Sequence, residues 1–119
     1  NNCVKFPTTC TGHIVVPPCQ WSANVDAELY WNNIVGLEID GPNPPNQGYS
    51  YSQMQQLWHA ANATKSHMVM IWWEPEPLHI LYEGTDAAFQ QVLLPAATAE
   101  CAEHRNDMAA KCSANIEDR

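Results

Sequence analysis

A chain of 119 residues with a formal net charge of −8 has room for one hydrophobic core and no second domain of the usual ~100–150 residues. Thirteen acidic residues against five basic ones repel phosphate backbones and anionic lipids, so nucleic acid is excluded as a natural partner. No apolar run reaches the ~20 residues of a spanning helix, and no charged-then-apolar leader opens the sequence at Asn1, which reads as a processed or partial chain.

Residues 1–20 read as a disulfide-stapled arm, followed by one α/β domain over 21–112 and a loose tail over 113–119. Cys3, Cys10 and Cys19 crowd the arm, and Cys101 and Cys112 stand near the other end. That layout predicts disulfides tying down both termini in an oxidising compartment. Five cysteines are an odd number, so one thiol is free, joins another chain, or has its partner elsewhere. No C-x-x-C pair is present, which argues against zinc. Within the arm, Gly12-His13-Ile14-Val15-Val16 is a short strand ended by Pro17-Pro18.

Ser22 is placed to cap a helix from Ala23 to about Asn33, with Val25 and Leu29 on one stripe and Trp21 stapling its start. Val35 to Asp40 follows as a second strand. Gly41 to Gly48 is a loop of turn formers with no lysine-serine pair after its glycines, so no nucleotide cradle is expected. Ser50 and Gln53 form a capping box for a helix to about Ala63, whose stripe of Met54, Leu57, Trp58 and Ala61 is set to pack on the sheet. Asn62-Ala63-Thr64 in that helix is a glycosylation sequon, which agrees with secretion.

The chain is organised around residues 66–84, SHMVMIWWEPEPLHILYEG. Met68 to Trp73 is an uninterrupted apolar run and predicts a central strand covered on both faces. Glu74-Pro75-Glu76-Pro77 stops it, and Pro77 opens a short helix with Leu78, Leu81 and Tyr82 on one face and Gly84 as terminator. In open α/β sheets ligands sit beyond the carboxyl ends of the strands, which nominates Trp72, Trp73, Glu74, His79 and Tyr82 as ligand-binding residues. Neighbours on a strand point to opposite faces, so at most one of Trp72 and Trp73 can serve a given site unless the strand ends between them.

Thr85 to Ala88 reads as a turn or short helical segment, Phe89 to Leu94 as a strand stopped by Pro95, and Ala96 to Lys111 as a helix. Along an unbroken helix the eleven residues from Cys101 to Cys112 span ~16 Å, too far for a disulfide, so both would reach the arm. A break near Asn106-Asp107 would let them pair locally. The alternation of elements predicts a small, mostly parallel sheet flanked by helices, with right-handed crossovers.

Trp73-Glu74-Pro75 followed by Leu78 and Tyr82, preceded by Ala60-Ala61-Asn62-Ala63 and followed by Val92-Leu93-Leu94-Pro95, resembles the substrate-binding domain of glycine betaine/proline-type transport systems. The resemblance spans roughly Tyr49 to Cys101 and implies one partial lobe of a type 2 periplasmic-binding fold. Cysteine-decorated versions are similar to extracellular regions of some protist surface proteins. It also implies capture of a quaternary ammonium ligand such as betaine or choline by cation–π attraction, with Trp73 on the motif tryptophan.

Catalysis is not expected. Glu74 and Glu76 are a tempting carboxylate pair, but they stand two apart in a proline-rich turn, and no nucleophile motif or metal triad accompanies them. No cofactor is implied. Two functions follow: a secreted solute-binding-like domain, or a structural module of a larger cell-surface assembly that has other chains as partners and no small ligand.

Overall fold

The computed structural model describes residues 12–21, 24–42 and 48–115; Cys3, Cys10, Ser22, most of the 41–48 loop and the end of the tail lie outside them. Three strands, β1 (Gly12–Val15), β2 (Leu37–Asp40) and β3 (Val69–Met70), form a parallel sheet in the order β2-β1-β3. Helix α1 (Val25–Trp31) lies between β1 and β2, and α2 (Tyr51–Thr64) between β2 and β3. Helices α3 (Pro77–Tyr82), α4 (Ala99–Glu103) and α5 (Met108–Lys111) follow. The fold is α/β with a small parallel sheet and flanking helices, in agreement with the alternation of the sequence. Among the described residues no helix is long and apolar enough to cross a membrane.

The central strand is β1, not the Met68–Trp73 run. Ile14 pairs with Ile39 on one side and Val69 on the other, and Ile14, Val16, Val25 and Ile39 form the core with Leu29 and Ile71 packed against it. The residues 12–16 expected in the arm therefore make the heart of the sheet. The apolar run supplies only the edge strand β3, extended by one bond from the Ile71 N–H to the Val15 carbonyl (2.9 Å). The reason lies downstream: Phe89 to Leu94, expected as a further strand beside it, joins no ladder. Its Val92 and Leu93 are 78% and 79% exposed. With no strand among the described residues paired to its outer edge, β3 has neither the length nor the burial of an interior strand.

Helix α2 forms as its sequence requires. The Ser50 hydroxyl accepts from the Gln53 N–H and the Gln53 side chain accepts from the Ser50 N–H, so two orphan donors are satisfied reciprocally. Met54 is fully buried on its inner face. Helix α1 begins at Val25 with Asn24 in the cap position and no side-chain cap bond, two residues later than expected. The predicted helix over Ala96–Lys111 divides at 104–107, where the Asp107 carboxylate accepts from the Ala110 N–H (2.8 Å) and starts α5 afresh.

That break does not pair the two nearby cysteines. Cys112 bonds Cys19, with a Cα–Cα distance of 5.4 Å across a sequence separation of 93. Cys101, counted with the disulfide cysteines from the sequence, is a free, exposed thiol. Lys111 also donates to the Trp21 carbonyl, so the C-terminal segment is fastened twice to the loop after β1.

Candidate aromatic site at the strand ends

The order β2-β1-β3 places the chain's change of direction between β1 and β3, and in open parallel sheets the crevice outside the carboxyl ends at such a switch point is the natural ligand position. The loop leaving β1 carries Trp21, and the segment leaving β3 carries Trp72 and Trp73. They meet: Trp21 packs edge-on against Trp73 with ring centroids 5.3 Å apart.

Because β3 ends at Met70, the strand alternation no longer applies to the tryptophans. Trp72 and Trp73 stack on each other, centroids 4.3 Å apart, and both belong to one site. Tyr51, the first residue of α2, completes it from the other side, lying nearly parallel to Trp72 (5.8 Å, 14° between planes) and 6.0 Å from Trp73. Its position depends on Gly48, which has φ +73° and is packed so tightly that a Cβ there would stand 2.2 Å from the Pro17 carbonyl oxygen. The Tyr49 N–H then bonds the Val16 carbonyl (2.8 Å), laying the approach to α2 across the end of β1.

Under the rings lies Glu76, only 3% exposed. It caps α3: the Leu78 N–H donates to Oε2 (2.7 Å), Trp72 Nε1 donates to the same oxygen (2.9 Å), and the Tyr51 hydroxyl donates to Oε1. Pro77 follows at the first helical position, so local capping chemistry and the aromatic cluster share one carboxylate. The phenol of Tyr51 is held above its ordinary value of 10.0, first by the hydrogen bond to Glu76, then by burial and by the negative charge of that carboxylate. This is an acidic, tryptophan-lined corner that can attract a cation to ring faces and a buried charge.

The five nominated residues divide. Trp72 and Trp73 are in the site. Glu74 is exposed and turns away to His79, with Oε1 2.9 Å from Nε2, so the acidic residue at the rings is Glu76 and not Glu74. His79 borders the cluster through Phe89 (5.7 Å). Tyr82 is engaged elsewhere, its hydroxyl 2.5 Å from His59 Nδ1. Phe89 stacks on Trp58 at 3.7 Å and reaches Trp72 at 6.3 Å, and Trp58 Nε1 donates to the Ala87 carbonyl (3.2 Å). Glu76, Tyr51 and Trp21 were missed as site residues. A glutamate directly before a proline-initiated helix was the one available signal, since that is a cap position and its side chain folds back inward.

Comparison of the chain with family models, with curated proteins and with solved structures gave no match.

Proposed function

We propose that this chain is an extracellular solute-binding-like module that captures a quaternary ammonium ion, such as choline or betaine, on the tryptophans at the carboxyl ends of β1 and β3. The observation that carries this reading is the convergence of Trp21, Tyr51, Trp72 and Trp73 at the sheet's switch point. The buried Glu76 carboxylate accepts hydrogen bonds from two of them, Trp72 and Tyr51. A methylated ammonium cannot donate a hydrogen bond, so ring faces and a nearby negative charge are the contacts it uses. Trp73 keeps 37% of its surface exposed and offers the accessible face. Secretion is supported by the Cys19–Cys112 disulfide and by the Asn62 sequon near the end of α2. Binding of this kind asks no chemistry of the chain, only position and charge.

A second reading has its own observation. Residues 90–100 are exposed throughout, including Val92 and Leu93, and an apolar run of this kind suits packing against another chain or segment in a larger assembly. Titrating the protein with choline and with betaine while following tryptophan fluorescence separates the two. Capture predicts a saturable change that Trp73→Ala abolishes; no saturable change with either ligand leaves the structural module.

A further inference from the structure

We infer that Tyr51 is a displaceable plug over Glu76, and that an incoming cation takes its place beside Oε1 of the carboxylate. This rests on the ligand-capture reading. The two oxygens of Glu76 have different duties. Oε2 is committed to the fold, because it accepts from both Trp72 Nε1 and the Leu78 N–H that starts α3. Oε1 has one partner among the described residues, the Tyr51 hydroxyl.

That partner comes from the margin of the structure. Tyr51 stands at the first position of α2 with 37% of its surface exposed, so its side chain can swing without disturbing the helix hydrogen bonds behind it. Its hydroxyl also accepts from Gln55 Nε2 (3.0 Å), one turn along the helix, which gives the swung ring a polar neighbour outside the cluster. In place, the ring lies over Trp72, 5.8 Å away and within 14° of parallel, and so occupies the face a cation would use. A buried carboxylate oxygen stripped of the one donor it has among the described residues carries a desolvation penalty. Tyr51 therefore stays until something positive replaces it, and the carboxylate is never left bare. Exchange trades one hydroxyl bond and the ring contacts to Trp72 and Trp73 for cation–carboxylate and cation–ring attraction.

Tyr51→Phe keeps the ring and deletes the bond that competes with the ligand. Titrated with tetramethylammonium, with tryptophan fluorescence as the readout and far-UV circular dichroism to confirm folding, Tyr51→Phe should bind about tenfold more tightly than the wild-type chain, the worth of one hydrogen bond to a charged group. Glu76→Gln, which retains an acceptor for Leu78 and Trp72, should bind at least ~10-fold more weakly than wild type, through loss of the charge. Equal or weaker binding by a folded Tyr51→Phe overturns the plug, and if wild type still saturates, ligand capture itself survives. No saturation in either protein removes both.

Discussion

Trp72 and Trp73, adjacent in sequence, lie ring on ring with centroids 4.3 Å apart, an arrangement that a continuing strand would forbid because it sends neighbours to opposite faces. The strand stops at Met70, and the freed backbone turns Trp72 so that its indole N–H reaches Glu76 (2.9 Å). The same carboxylate caps α3. Site and fold are thus joined at one side chain.

Glu76→Ala should destabilise the protein by about 3 kcal/mol, because it strands the Leu78 N–H and the Trp72 indole N–H without an acceptor, at ~1–3 kcal/mol for each buried orphan. Glu76→Gln should lose about 1 kcal/mol, since an amide oxygen still accepts from both. Urea unfolding followed by tryptophan fluorescence measures the two, and equal losses would show that the acceptor matters less than the charge.

Alkaline pH should weaken the fold through Tyr51. Its pKa is raised in the folded state by the bond to Glu76, so the folded chain holds this proton more tightly than the unfolded one. The contribution is fully present below the unfolded value near 10.0 and is lost as pH rises through the higher folded value. In an absorbance titration of tyrosinate, the contribution missing from Tyr51→Phe should be one that ionises above pH 10.0. Ionisation of that residue at or below this value would contradict the bond.

Removing the Cys19–Cys112 bridge should cost about 4–5 kcal/mol by the chain-entropy estimate for a loop of this size, since the bond spans a separation of 93 residues. A Cys19→Ser/Cys112→Ser protein compared with wild type by thermal unfolding tests this. Under native conditions an aromatic disulfide reagent should label Cys101, which is free and exposed, while Cys19 and Cys112 stay unlabelled until reduced. Peptide mapping distinguishes these positions, and a native Cys101 joined to another cysteine would refute the pairing.

Gly48→Ala should destabilise by more than the ~1 kcal/mol of an ordinary left-handed glycine. The added Cβ falls 2.2 Å from the Pro17 carbonyl oxygen, so backbone must move as well. Because that contact seats Tyr51 over the site, the substitution should also alter near-ultraviolet circular dichroism of the aromatic cluster. A thermal midpoint unchanged from wild type would show that the loop relaxes freely.

Local chemistry was legible from the residues themselves. The Ser50–Gln53 capping box, proline at the start of α3, the burial of Met54 on α2 and the α/β alternation all depend on neighbours within a few positions, and each appears as read. What needed the tertiary structure was every choice among distant partners. Pairing on both sides made Gly12–Val15 the central strand, while the more apolar 68–73 run was left at an edge because Phe89 packed on Trp58 and the residues after it joined no ladder. Cys112 reached Cys19 and left Cys101 free, a selection among thiols that spacing does not encode. The site followed the same rule: Trp72 and Trp73 could be named from their place at the end of an apolar run, but Trp21 and the Glu76 carboxylate were brought to them by where β3 ended and which groups the turning indole could reach.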